Sequence, residues 1–400
     1  KKLNKTKNHV IIDGNTAAGL GCVYAGATVG AWYPLTPSTS VMDAYQAFCN
    51  QYRKSKDGKN NFCIIQAEDE LAAIGMVLGA TWNGARAFTP TSGPGISLMT
   101  EFIGFAYYSE LPAVLFNIQR TGPSTGMPTR TQQCDLLLCA YASHGDTKHP
   151  MLFPANPEEC FYMTLSAFDL ADQLQTPVFL MSDLDVGMND WMCKDLEWDK
   201  SYKPKRGKVL NADQLEKIEK FYRYYDSDGD GIPYRSLPGV HPKGSFFTRG
   251  SGHNKYGGYT EDGEEYQEVV DRLKVKWNTA RKMIPDPKMK YSKKNNVAII
   301  AFGSSHGATK EAIINLKKNG IGVNYCQIKA FPFQSSIKKF IDKHKRVYIV
   351  EQNRDAQMRS LIMLDLEVDA DKLLSILHYN GNPIYANVIS DELMKSEKKF

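Results

Sequence analysis

Four times between Ala31 and Leu138 a short apolar run gives way to a polar turn and then to a helix-like stretch. The apolar runs are Ala31-Trp32-Tyr33, Cys63 to Ile65, Ala85 to Phe88 and Ala113 to Ile118. Runs this short and this uniformly apolar read as strands buried on both faces, and strands alternating with helices read as a doubly wound parallel sheet. In such an α/β sheet the turns that follow the strands gather at one edge, which is where ligands bind. The search for function therefore begins with those four turns.

The rest of the composition narrows the class. Four hundred residues suggest two or three domains, and 42% hydrophobic with 23% charged residues excludes a disordered or fibrous chain. The net charge of +5 sits largely in short lysine runs, Lys1 to Lys7 and Lys288 to Lys294, which argues for solubility and against nucleic acid as a partner. No apolar run approaches the roughly 18 residues of a membrane span, and the polar start lacks a signal region, so the simplest placement is cytoplasmic, with no membrane partner. Eight cysteines are scattered without a single CxxC, so the local spacing of a zinc site or iron–sulfur cluster is missing.

Composition also divides the chain. Residues 1–193 carry the strand–turn–helix pattern, beginning with Val10-Ile11-Ile12 as a short buried-type strand. Residues 194–290 are polar, short of apolar periodicity and read as an insertion or crossover. Residues 291–400 form a second, smaller α/β unit that starts at VAIIAFGSS. Expected helices include Ile96 to Tyr108 and Pro157 to Leu174.

The turns supply candidate residues. After Ile65 come Glu68, Asp69 and Glu70, which serve either as a functional cluster or as ordinary compensation of a helix N-terminus. Thr36 is held in extended geometry between Pro34 and Pro37. Thr91, Ser92, Gly93, Pro94 and Gly95 make a turn whose bare backbone lets a ligand approach closely, and the fourth turn carries Arg120 and Arg130. Two motifs in the insertion mislead. Asp226, Asp228, Asp230 and Gly231 spell the first half of a calcium loop, but the twelfth position is Leu237 and Pro233 spoils the exit helix. Gly229-Asp230-Gly231 with Asn254 mimics a diphosphate site, yet FYRYYDS precedes it in place of a buried strand.

Five ordered blocks together carry a resemblance: YPLTPSTS from Tyr33, QAEDELAAIG from Gln66, TPTSGPGISLMTEFIGFAYYSELP from Thr89, QRTGPSTGMPTRTQQCDL from Gln119 and SDLDVGMNDW from Ser182. They resemble the alpha subunit of 2-oxoacid:ferredoxin oxidoreductases, most closely the 2-oxoglutarate synthase branch, densely over residues 9–193 and more loosely from AIIAFGSSHGATKEA to VEQN. The resemblance implies a thiamine-diphosphate pyrimidine-binding domain followed by a domain of transketolase C-terminal type. It also implies oxidative decarboxylation of 2-oxoglutarate with coenzyme A to succinyl-CoA and carbon dioxide, or the reverse. A beta subunit would hold the diphosphate, Mg2+ and a 4Fe-4S cluster that passes electrons to ferredoxin, in a dimer of heteromers. The family's further domain would be a separate gamma or delta chain or lost, and Lys1 in place of methionine hints at processing or truncation. The competing expectations are pyruvate or another 2-oxoacid as substrate, a transketolase-type enzyme, and a non-catalytic docking subunit.

The resemblance also assigns roles. Glu70 meets pyrimidine nitrogen N1′, with Glu68 the alternative because two carboxylates two apart leave the register open. Thr36 and Arg120 contact the substrate, Arg120 through its carboxylate, and Arg130 serves the second carboxylate that 2-oxoglutarate has and pyruvate lacks. Pro37, Ser92 and Gly93 complete the cofactor-binding set, and no metal ligand is expected on this chain.

Overall fold

A computed structural model describes residues 5–291 and 295–398; Lys1 to Asn4 and Ser292 to Lys294 of the two lysine runs lie outside them. Two largely parallel sheets organise the protein. The seven-stranded sheet has the order Ala330–Phe331, Met151–Leu152, Pro177–Asp183, Ala113–Gln119, Ala87–Thr91, Val29–Trp32, Cys63–Gln66, antiparallel only at the first pairing. From Val29–Trp32 the chain moves outward to Cys63–Gln66 and then returns to the other side through Ala87–Thr91, so the strand order reverses between Val29–Trp32 and Ala87–Thr91. A crevice forms at such a switch point. The second sheet runs Leu373–Leu377, Arg346–Glu351, Val297–Ala301, Asn324–Gln327, Lys288–Lys290, antiparallel only at the last.

Local chemistry explains most boundaries. Helix Gly93–Ser109 starts three residues before the apolar pattern does, because Pro94 falls in the first turn where its missing N–H is not needed. Helix Pro157–Leu174 lies where expected, opened by Asn156, whose side chain accepts from the Glu159 N–H. The strand expected from Ala85 begins at Ala87, because Arg86 turns into a buried ion cluster with Asp169 at 2.7 Å and Asp172 at 2.8 Å.

Two expectations need correction. His9–Ile12 is a strand but not a buried one: among the described residues it pairs only with Trp191–Lys194, and Ile11 is 74% exposed. The insertion contains a 21-residue helix, Gly263–Met283, whose Val269, Leu273, Trp277 and Ala280 are buried. Their spacing of about one turn is a helical stripe diluted by the charged residues between them. The helix is ionically bound to the first unit, since Arg272 and Lys276 pair with the fully buried Glu110. The Asp226 to Gly231 loop already contains a cation, the ammonium of Lys208, 2.9 Å from Asp228, 2.8 Å from Asp230 and 2.9 Å from the Ile232 carbonyl.

The parts of the chain interlock, since Lys288–Lys290 of the insertion lies on the second sheet and Ala330–Phe331 of the second unit on the first. Gln133 joins them at the loops that end the second unit's strands. Its N–H donates to the Gln352 carbonyl at 2.8 Å, and its Oε1 accepts from Ser305 and from the Gln352 N–H, both at 3.1 Å. Among the described residues no helix is long and apolar enough to cross a membrane.

Candidate functional site

The turns that follow Val29–Trp32, Cys63–Gln66, Ala87–Thr91 and Ala113–Gln119 meet at the switch-point crevice. Asp69 caps helix Glu70–Trp82, accepting from the Ala72 N–H at 2.6 Å, which leaves Glu70 as the first helical residue. Glu70 is 6% exposed, whereas Glu68, two residues back, is exposed. The structure thereby separates the two carboxylates that the sequence left as alternatives. Among the described residues no hydrogen bond or ion pair engages the Glu70 carboxylate.

The glycines of the neighbouring turn explain how the site closes. A Cβ on Gly95 would lie 3.0 Å from Glu70 Cγ and 2.0 Å from Thr91 Oγ1, so bare backbone here admits the glutamate. A Cβ on Gly93 would lie 2.8 Å from an Asp135 oxygen, so that side of Gly93 is taken by a second carboxylate. Both acids flank the first turn of helix Gly93–Ser109, where the helix dipole favours negative charge. Thr91 Oγ1, Ser92 Oγ and Asn117 Oδ1 are buried there without a hydrogen-bond partner among the described residues. Buried polar atoms rarely stay unpaired without a functional reason.

Arg120 ends strand Ala113–Gln119, 5% exposed, and its Nη1 donates to the Thr36 carbonyl at 2.6 Å. Burial pulls its guanidinium below the usual range, and Asp135 opposes the shift. Burial likewise pushes the Asp135 carboxyl up, against hydrogen bonds from Asn117 and Cys134 and the charge of Arg120. Thr36 is exposed and joined by a cis peptide to buried Pro37, whose carbonyl accepts from Asn15 at 2.9 Å. The structure thus brings Thr36, Pro37, Arg120, Ser92, Gly93 and Glu70 to one sheet edge.

Arg130 is placed differently. It is exposed, and its Nη1 donates to Asn382 Oδ1 of the second unit at 3.2 Å. The Thr121 N–H donates to the Arg130 carbonyl at 3.0 Å, folding that loop back onto the strand that carries Arg120. Sequence reasoning missed Asp135 and Asn117. A lone asparagine inside the apolar run AVLFNIQ was the available signal for Asn117; Asp135 had none beyond its place in a polar turn.

An acid without a protein partner, beside orphaned hydroxyls and an arginine, suits the pyrimidine end of thiamine diphosphate and an anionic substrate. The Gly229-Asp230-Gly231 loop is closed around Lys208, and among the described residues no group of three or more His, Cys, Asp or Glu side chains is disposed to hold a metal.

Comparison with known proteins shows the family. Residues 20–211 match the family described as pyruvate flavodoxin/ferredoxin oxidoreductase, thiamine diP-bdg. The chain is 33% identical to the 2-oxoglutarate synthase subunit KorA of Methanocaldococcus jannaschii, over 86% of this chain and 88% of that protein. It is 32% identical to 2-oxoacid:ferredoxin oxidoreductase 1, subunit alpha, of Sulfurisphaera tokodaii, over 99% of this chain but only 62% of that longer protein. The structure of 2-oxoglutarate:ferredoxin oxidoreductase from Magnetococcus marinus, with 2-oxoglutarate, coenzyme A and succinyl-CoA bound, superposes with a TM-score of 0.88 at 27% identity, covering 97% of this chain and 65% of that one. A split-gene transketolase, at TM-score 0.56 and 13% identity over 97% of this chain and 98% of that one, shares the fold alone.

Proposed function

The chain belongs to the alpha-subunit family of 2-oxoacid:ferredoxin oxidoreductases, and on that premise we propose that it forms the pyrimidine-binding half of an enzyme converting 2-oxoglutarate and coenzyme A to succinyl-CoA and carbon dioxide, reversibly. The observation that carries the proposal is Glu70, a buried carboxylate without a protein partner, in the crevice that also holds Arg120 and Thr36. When bound, thiamine diphosphate supplies the carbon nucleophile for the keto carbon of the 2-oxoacid. Glu70 shares a proton with pyrimidine nitrogen N1′, and its shielding from water strengthens that contact. Arg120 spends one N–H on Thr36 and offers the rest to the substrate carboxylate. The Thr36 hydroxyl bonds the substrate beside it, and Pro37, Ser92 and Gly93 shape the wall. Arg130, exposed on the loop that folds back onto the strand carrying Arg120, would leave Asn382 to meet the distal carboxylate of 2-oxoglutarate.

The remaining parts lie on partners in this proposal. A beta subunit provides the diphosphate and Mg2+ site and the 4Fe-4S cluster, ferredoxin takes the electrons, gamma and delta functions lie on separate chains, and the assembly is a dimer of heteromers. Leu71, Met76 and Leu98, exposed on the two helices that open at the site, support a partner seated there. The test is to purify the chain with a beta partner, assay bound cofactor, and follow ferredoxin reduction with 2-oxoglutarate and coenzyme A. Glu70→Gln should keep the cofactor and lose about 10²- to 10⁴-fold in turnover. Wild-type turnover in that variant removes Glu70 from its role, and a complex that binds no cofactor leaves only a docking subunit.

A further inference from the structure

Arg120 is a buried cation with an unusual surrounding. Its Nη1 is bonded to Thr36, its Nε is buried without a partner, and among the described residues no carboxylate lies within ion-pair distance of it. A buried charge without compensation is costly. The acid held beside it is Asp135: Cys134 Sγ lies within hydrogen-bond distance of both the Arg120 carbonyl, at 3.4 Å, and Asp135 Oδ1, at 3.5 Å, and the Asp135 charge favours the guanidinium against its burial. Its other neighbours fix Asp135 further. Asn117 Nδ2 donates to its carboxylate at 3.1 Å, its own N–H donates to Gln119 Oε1 at 3.1 Å, and the carboxylate lies flat against Gly93.

We propose that Asp135 is a positioning residue, pinned out of contact with Arg120 so that it balances the buried guanidinium while leaving its N–H groups to the carboxylate of a 2-oxoacid. The inference rests on the function proposed above. A carboxylate in contact with Arg120 would occupy the donors that the substrate needs. Without Asp135 the guanidinium would bind the substrate carboxylate more tightly, yet that carboxylate must leave as neutral carbon dioxide. Tighter ground-state binding without equal transition-state binding lowers KM and kcat together.

The test uses the complex with its beta partner. Asp135→Asn, which keeps shape and removes charge, should lower KM for the 2-oxoacid and kcat by about tenfold each, the scale of a modest charge–charge interaction. A purely structural role predicts the opposite sign, a raised KM with a lowered Tm. Asn117→Ala, which frees Asp135 to close on Arg120, should raise KM. An unchanged or raised KM in Asp135→Asn overturns the inference; if that variant does not assemble, an unchanged or lowered KM in Asn117→Ala overturns it instead. Arg120→Met separates the two levels. If it leaves KM unchanged, the substrate role of Arg120 fails whatever Asp135 does; if it raises KM while both other variants are silent, only the role of Asp135 fails.

Discussion

Gly95→Ala tests whether the placement of Glu70, and not merely its presence, sets the rate. The added methyl would lie 2.0 Å from Thr91 Oγ1 and 3.0 Å from Glu70 Cγ. Thr91 Oγ1 has no partner, so it rotates away without breaking a hydrogen bond. Glu70 Cγ has less room, because ordinary contact begins near 3.4 Å. It must retreat by about half an ångström, and the carboxylate two bonds further on moves at least as far. A misplacement of about 1 Å costs about 10²-fold, so kcat should fall roughly 10- to 100-fold. Overpacking should cost about 1–3 kcal/mol of stability, a loss that leaves the protein folded. The assay measures kcat, retained thiamine diphosphate and Tm of the reconstituted complex. Gly307→Ala serves as control, since a Cβ there meets nothing within 4 Å. A kcat within about twofold of wild type, with Tm lowered, would refute the reasoning, because the methyl would then have moved Glu70 without consequence.

Three further outcomes follow from the same structure. Burial alone would raise the Glu110 carboxyl, but Arg272 and Lys276 hold it well below the usual carboxylate range. Its stabilising effect is therefore complete above the unfolded value of about 4.3 and is lost as pH falls through the depressed folded value. Glu110→Gln should cost about 3–5 kcal/mol and flatten the acid limb of stability against pH in urea titrations; an unchanged limb sinks the assignment. Lys208→Ser should lower Tm, with millimolar calcium restoring part of the loss in the variant and not in the wild type, and an equal calcium response in both contradicts the reading of that loop. Arg130→Ala should depress turnover of 2-oxoglutarate more than that of a monocarboxylic oxoacid, and equal loss on both removes its proposed role.

The legible parts of this protein were those written into contiguous residues. The strands near Ala31, Cys63 and Ala113 and helix Pro157–Leu174 stood out because apolar runs and caps act over a few residues. Glu70, Thr36 and Arg120 could be named because contiguous blocks carry the family resemblance, and all three lie in turns that follow strands of a parallel sheet and so share one edge. Helix Gly263–Met283 was lost because its stripe is sparse and its stabilising partner, Glu110, lies more than 150 positions away. The strand His9–Ile12 looked buried because composition reports hydrophobicity and not what lies above it.

Sequence alone therefore determined the α/β architecture, the sheet edge at which the turns gather and the residue types they carry. Only the tertiary structure decided which of two glutamates is buried, that Gly93 and Gly95 receive carboxylates, that Lys208 is the cation of the Asp226 loop, and that Asp135 stands off from Arg120. The physical reason is range. Backbone preference and periodicity are set within a turn of chain, whereas burial and charge compensation depend on groups that folding alone makes neighbours.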